Sequence, residues 1–292
     1  MINTPKTIFI MAVFYIVVFQ AGCGSAPVHV SEKQALATDL NIKAQAEFKK
    51  GNYARAASLY TEALRINRSL DNADGAAAEL INLSQTYRKM SETDKAHRTL
   101  DELLDAGLKP HDKQYGVEAA FLKSLVYLDV KDHEKAGEWA DSASARCKEN
   151  ACEASGKIIN LKARIALMKK DYKASAFYAS EALVLNRSKN NAEETANSLR
   201  TLAESRLAAG AYAEARKLFE EALALDKAAG SSAKIKADLS GIGNSYCAQG
   251  RRDAGLGFLE RALAVSEASG DGAGNNEIKQ LLKQCSTGSG KN

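Results

Sequence analysis

The chain is 292 residues long, with 45% hydrophobic and 26% charged residues and a formal net charge of +4. That apolar content excludes a largely disordered chain, and only 3 prolines exclude a collagenous or proline-rich one. The charge is small and spread along the chain, so composition gives no case for a nucleic-acid partner. From the N-terminus, Met1–Lys6 is short and carries one basic side chain, and Thr7–Phe19 is an almost unbroken apolar stretch. Such a stretch is too short to cross a bilayer comfortably, so residues 1–22 are predicted to be a signal peptide and not a membrane helix.

Gln20-Ala21-Gly22-Cys23 follows at once. Small residues before a cysteine, directly behind an apolar core, resemble the lipobox of bacterial lipoproteins. The resemblance implies cleavage before Cys23, acylation of its thiol and of the new amine, and attachment to a membrane. Each buried CH₂ of the acyl chains would contribute about 0.8 kcal/mol. Gln20 departs from the aliphatic residue usual in that family. Gly24 in place of Asp implies, by the same resemblance, the outer membrane and a periplasmic face. An ordinary secretory signal with an incidental cysteine is the alternative. Residues 23–31 then form the lipidated cysteine and a short linker. Four cysteines remain, Cys147, Cys152, Cys247 and Cys285, an even number that permits two disulfides in an oxidising compartment. Cys147 and Cys152 flank a short loop, so a bridge there would be local; free thiols at a helix end are the alternative.

Alanine is abundant and aromatics are only 7%, which favours helices over sheet. Aligned on the alanine-rich segments, the rest of the chain repeats six times with a period of about 40 residues. One column reads Ala44, Ser84, Ser124, Ala163, Ala203 and Gly243; another, twelve residues on, reads Ala56, Ala96, Ala136, Ser175, Ala215 and Gly255. Every member is small. Two such columns on two helices joined by a tight turn let the backbones cross closely, which a large side chain would prevent.

Gly51-Asn52-Tyr53, Asp171-Tyr172 and Gly210-Ala211-Tyr212 at the turn, with Glu62-Ala63-Leu64, Glu181-Ala182-Leu183 and Glu221-Ala222-Leu223 on the second helix, resemble the tetratricopeptide repeat family. Gly241-Ile242-Gly243-Asn244-Ser245-Tyr246 resembles the Leu-Gly-Asn box of its longer subclass. The resemblance implies an all-α, right-handed superhelical solenoid of about six helix-turn-helix units over 32–272. The third unit matches least, with Lys131-Asp132-His133 at its turn. Gly51, Gly210 and Gly250 fall where a first helix needs a left-handed residue, and Ser31 with Gln34 forms a capping box. Beyond the sixth unit, Ile278, Leu281, Leu282 and Cys285 share one helical face, which predicts a capping helix over 273–286 and a tail over 287–292. That helix should pack beside the one carrying Cys247, where a Cys247–Cys285 bridge would staple it; two buried, inert thiols are the alternative.

No catalytic chemistry emerges. His29, His97, His111 and His133 have no metal-ligand spacing, so neither metal nor cofactor is expected. The repeat family lines its concave face with first helices, and carrying those positions over residue by residue implies a groove of Asn41, Gln45, Asn82, Gln85, Arg88, Phe121, Leu125, Asn160, Arg164, Asn197, Arg200 and Asn244. Asn and Gln offer donor and acceptor to an extended backbone. Arg88, Arg164 and Arg200 offer guanidinium forks for carboxylates. Phe121 and Leu125, with Leu128, offer an apolar seat. The expected function is a lipid-anchored adaptor that holds protein or peptide partners of a cell-envelope complex, in pilus, secretion or outer-membrane assembly. Docking of periplasmic hydrolases or proteases for their regulation is the alternative.

Overall fold

The computed structural model describes residues 31–105, 112–149 and 152–287. The signal-like segment, Cys23 and the tail from 288 onward lie outside the described residues, as do His29 and His111.

Among the described residues the chain is helical and has no strand. Six hairpins follow in order: α1 (Glu32–Lys49) with α2 (Tyr53–Ser69), α3 (Ala73–Lys89) with α4 (Thr93–Asp105), α5 (Asp112–Asp129) with α6 (His133–Glu149), α7 (Ser155–Met168) with α8 (Tyr172–Ser188), α9 (Ala192–Ala208) with α10 (Tyr212–Ala228), and α11 (Ser232–Ala248) with α12 (Arg252–Ala268). A thirteenth helix, α13 (Gly272–Thr287), closes the stack. The first helices form an inner layer in which α3 touches α5, α7 touches α9, α9 touches α11, and α11 touches α13. The result is a superhelical solenoid.

The turns explain why helices of nearly equal length recur. Gly51, Gly210 and Gly250 have φ of +84°, +80° and +81°. The corresponding turns of the other units are made by Ser91, Lys131 and Lys170, at φ of +59°, +62° and +61°. A side chain in that region costs about 1–2 kcal/mol. The cost is offset because the turn satisfies helix-end carbonyls: the Lys131 N–H donates to Leu128 O at 3.0 Å and the Asp132 N–H to Tyr127 O at 2.9 Å. New helices then start on polar caps. Asn72, Asp171, Asn191 and Asp271 accept the backbone N–H groups of Gly75, Ala174, Glu194 and Gly274.

Both small-residue columns are fully buried at the hairpin crossings. In the third unit the Ser124 hydroxyl donates across the crossing to Ala136 O at 2.7 Å. In the sixth, a Cβ placed on Gly243 would lie 3.0 Å from Gly255 O, and one on Gly255 would lie 3.0 Å from Gly243 O. That crossing needs glycine on both sides. The core between the layers is a chain of apolar clusters, one centred on Leu80, Leu100 and Leu122, another on Phe219, Ile242, Leu259 and Ile278. Ile278 of α13 is 2% exposed, so the last helix covers the open end of the stack. No described helix is long and apolar enough to cross a membrane.

Candidate functional site

Among the described residues the inner layer bounds a cleft of about 470 Å³, lined by α3, α5, α7 and α9. Of the expected groove residues, Gln85, Arg88, Phe121, Leu125, Asn160, Arg164, Asn197 and Arg200 line it. Asn41, Gln45, Asn82 and Asn244 do not. Asn41 is committed to the next repeat: its Nδ2 donates to Glu79 Oε1 at 2.7 Å, and its Oδ1 accepts from Gln45 Nε2 at 2.7 Å. Glu79 is buried, and that burial pushes its carboxyl up against the opposing hydrogen bonds from Asn41 and Asn82. Asn244 sits half-buried on α11, outside the cleft.

The three arginines differ sharply. Arg88 bonds Asp129 through two nitrogens, Nε to Oδ2 and Nη2 to Oδ1, the latter at 3.2 Å. Arg200 is taken by two carboxylates: its Nε donates to Asp238 Oδ1 at 2.7 Å, and its Nη2 donates to Asp226. Asp226 and Asp238 are 1% and 0% exposed. Burial works against the Arg200 charge, yet Asp238 and Asp226 more than offset it and hold its proton more firmly than usual. Burial pushes the Asp238 carboxyl up to about 7, with Asp226 beside it acting in the same direction and Arg200 opposing. Arg200 is therefore a tie between α9, α10 and α11, not a free fork.

Arg164 makes no hydrogen bond or ion pair with any described residue. Water reaches it, and the cleft walls still crowd it: burial weakens its hold on its proton, which Glu204 partly restores. Glu204, across the cleft on α9, makes no ion pair either, and burial pushes its carboxyl up against Arg200 and Arg164. One turn before Arg164 on α7, Asn160 is 5% exposed and its Oδ1 has no partner. Asn197, by contrast, is used internally, donating to Glu194 Oε2 at 3.2 Å and accepting from Arg200 at 3.3 Å. Phe121 and Leu125 are buried, and the Lys157 ammonium lies 4.2 Å from the Phe121 ring centroid. They form the cleft's floor and are not an open apolar seat, because Lys157 covers the ring while paired with Glu118 at 3.3 Å.

The cysteines lie in two pairs. Cys147–Cys152 joins the end of α6 to the start of the next unit, with Cα atoms 4.9 Å apart; Cys247–Cys285 joins α11 to α13, with Cα atoms 5.3 Å apart. Among the described residues no group of three His, Cys, Asp or Glu side chains is placed to hold a metal.

Glu118, Lys157, Glu194, Asp226 and Asp238 are site residues that the carried-over groove positions miss. The signal for the last was in the spacing. Asn41 to Glu79 and Arg200 to Asp238 are both separated by 38 residues, so one first-helix position regularly reaches the helix of the next unit.

Sequence profiles of the tetratricopeptide repeat family match residues 34–108 and 81–151. Tetratricopeptide repeats therefore occupy residues 34–151 of the chain. A search of curated protein sequences returned no match. Solved structures resemble this repeat solenoid over most of its length. The Pyrococcus horikoshii signal-transduction ATPase with a tetratricopeptide repeat sensor aligns at TM-score 0.65 and 16% identity, over 88% of this chain and 39% of that one. Aspartyl phosphate phosphatase F from Bacillus subtilis aligns at TM-score 0.60 and 17% identity, over 87% and 70%. A Rap protein complexed with Competence and Sporulation Factor aligns at TM-score 0.63 and 13% identity, over 86% and 75%. At these identities the likeness is one of fold.

Proposed function

We propose that this repeat protein is a lipid-anchored adaptor whose cleft holds a segment of another protein of the cell envelope. The observation that carries the reading is the cleft itself. It is built on four rigid helices and keeps Asn160 and Arg164 without internal partners, whereas Arg88, Asn197 and Arg200 are satisfied within the chain. Unsatisfied polar atoms on a preorganised surface suit a partner that brings its own backbone and side-chain groups. A Rap protein of similar fold has been solved in complex with Competence and Sporulation Factor, which agrees with this reading. The anchor rests on Gln20-Ala21-Gly22-Cys23 behind its apolar run.

Photo-crosslinking tests the groove. A crosslinking amino acid at half-buried Gln85 in the cleft should give discrete protein adducts in native envelopes; the same group at exposed Lys173 on α8 should not. Equal labelling from both faces would refute the groove. Mass spectrometry of the mature N-terminus tests the anchor. Acylated Cys23 and release of the Cys23→Ser variant from the membrane fraction are expected, and an unacylated amine upstream of residue 23 would refute the anchor.

A further inference from the structure

The end of each second helix is joined to the following helix through a pair of residues five apart. Among the described residues four such junctions carry a polar pair: Asn67 with Asn72, Asn186 with Asn191, Asp226 with Ser231, and Ser266 with Asp271. A fifth, between α6 and α7, carries Cys147 with Cys152. The backbone is the same in all of them: the N–H of the second member donates to the carbonyl of the first, at 2.9 Å for Asn72 and 3.1 Å for Cys152. The first member is always buried. The polar junctions need no covalent bond. Asn67 accepts from Asn72 Nδ2 at 2.8 Å, and Ser266 donates to Asp271 O at 3.1 Å. Asn72, Asn191 and Asp271 then cap a helix that begins at the very next residue. Between α6 and α7 the disulfide replaces the polar pair, and the cap is lost. α7 starts only at Ser155, and Ala154 before it supplies no side-chain hydrogen bond. Lys189 from the end of α8 props this uncapped end, donating to Glu153 O at 2.9 Å and to Ser155 Oγ at 3.3 Å.

We propose that the Cys147–Cys152 bridge is a reducible latch, which a protein dithiol opens to loosen the junction where the two halves of the cleft meet. Its effect on binding rests on the segment-binding reading above; its opening does not. Three physical points carry it. A thiol is only a weak hydrogen-bond donor and acceptor, so the reduced junction has neither the bond nor the cap that its counterparts use. The junction also lies at the middle of the cleft, with α3 and α5 lining one side and α7 and α9 the other. Beyond the apolar core, α7 is held there by partly exposed ion pairs, Lys157–Glu118 at 3.3 Å and Lys162–Asp141 at 2.8 Å, which fix a geometry weakly. Access favours this bridge over the other. Cys147 is buried and Cys152 half-buried, so attack comes at Cys152. In the second bridge Cys285 is buried, and Cys247 Sγ fills the space that a Cβ on Gly255 would need, inside the α11–α12 crossing. The exchange balances. One thiolate of the dithiol attacks Cys152 Sγ, the S–S bond breaks, and Cys147 leaves and takes a proton. The second thiolate attacks the mixed disulfide and releases Cys152, which takes another. Two electrons reach the cysteine pair, and the dithiol becomes a disulfide.

The test uses the oxidised full-length chain and a thioredoxin-type protein with a Cys-X-X-Cys dithiol. Alkylation with peptide mapping should find Cys147 and Cys152 freed about tenfold or more faster than Cys247 and Cys285. Hydrogen exchange at the start of α7 should then speed up about fivefold, the size of a lost helix cap, while α11–α13 stay unchanged. Cys147→Ala with Cys152→Ala should exchange like the reduced protein. Cys147→Asn with Cys152→Asn installs the pair that stands at 186 and 191; it should exchange like the oxidised protein and ignore the dithiol. In native envelopes, adducts from a crosslinker at Gln85 should fall severalfold on reduction of the otherwise unchanged chain and hold steady in the Asn pair. Failure to free Cys147 and Cys152 ahead of the other two, or unchanged exchange at α7 once they are free, overturns the latch. An Asn pair that exchanges like the Ala pair overturns the equivalence of the junctions on which it stands. Faster exchange with unchanged adducts overturns its control of the cleft. No adducts in either state overturns the segment-binding reading instead, and the exchange rates alone then decide the latch.

Discussion

Arg164 and Arg200 lie on neighbouring first helices of the same cleft and have opposite roles. Arg200 sits at the position that, in the first unit, is held by Asn41; each bonds a carboxyl 38 residues further on, across to the next first helix. This position couples repeat to repeat. Arg164 is one turn further along its own helix, at a position equivalent to Gln45 and Gln85, and faces the open cleft. Asn160 shows the rule by its exception. It occupies the coupling position, but the residue it would meet, Ser198, already bonds Asn186 at 3.0 Å and the Glu194 carbonyl at 2.9 Å. Its amide is therefore left for something else. Within this solenoid, then, a polar groove residue is structural where the next repeat supplies it a partner, as Asp129 does for Arg88 and Asp238 for Arg200, and available where the next repeat does not.

The largest effect should come from breaking the tied side. Arg200→Leu strands Asp226 and Asp238 in the core without their cation. Removing one partner of a buried charge cluster costs about 3–5 kcal/mol. Urea denaturation at neutral pH should show a loss in that range; a loss below about 1 kcal/mol would mean that Arg200 is as free as Arg164. A combined charge reversal of Arg164 and Arg200 would mix this destabilisation with any binding defect, so Arg164 is the informative single site.

The second effect concerns what holds α11, the helix that carries Asp238. It is tied to α9 by Arg200 and to α13 by Cys247–Cys285. A cross-link across 38 residues contributes about 2–4 kcal/mol by limiting the unfolded chain. Because a solenoid's stability is the sum of local terms, the loss should stay at that end. In Cys247→Ser with Cys285→Ser, hydrogen exchange should speed up in α11–α13 and remain unchanged in α3–α7. Uniform acceleration along the chain would mean that the two regions are one cooperative block.

The architecture was legible where a single position is decided by sterics alone. Ala44, Ala56 and their counterparts must be small because the hairpins cross there, and the forty-residue recurrence shows it without any structure. Gly51, Gly210 and Gly250 announce left-handed turns. Ser91, Lys131 and Lys170 do not, because there the two turn hydrogen bonds, not the residue type, impose the conformation. The groove was legible as a set of first-helix positions but not in its pairing. Asp226 reaches Arg200 from a second helix, and Lys157 folds over Phe121; both depend on how neighbouring hairpins lean together, which one repeat's pattern does not encode.

A smaller effect sharpens the tied side by pH. Asp238 is held at about 7 in the folded protein against an ordinary value of 3.8. A carboxyl raised on folding binds its proton more tightly in the native state. Its contribution to stability is therefore full below 3.8 and is lost as pH rises through about 7. The slope over that window is at most about 1.4 kcal/mol per pH unit. Asp238→Asn removes the titration, so wild type should lose stability relative to the variant between pH 5 and pH 7, and the gap should level off above pH 8. A wild type that gains stability relative to the variant as pH rises would reverse the sign and place the proton elsewhere.

The smallest change in stability belongs to Arg164, and it is the most telling. Its guanidinium is crowded and unpaired, and Glu204 only partly offsets the burial that opposes its charge, so the fold gains little from it. Arg164→Ala should leave the unfolding free energy within about 0.5 kcal/mol of wild type, or raise it slightly. The same substitution removes one of the two cations that oppose the upward push on Glu204, so Glu204 should take its proton at higher pH than in wild type. Carboxyl-carbon NMR titration reads that shift directly. A residue whose removal spares the fold and perturbs its neighbour across the cleft is one the fold does not require. A loss of several kcal/mol in Arg164→Ala would instead make it a second Arg200, and the contrast between the two sides of the groove would disappear.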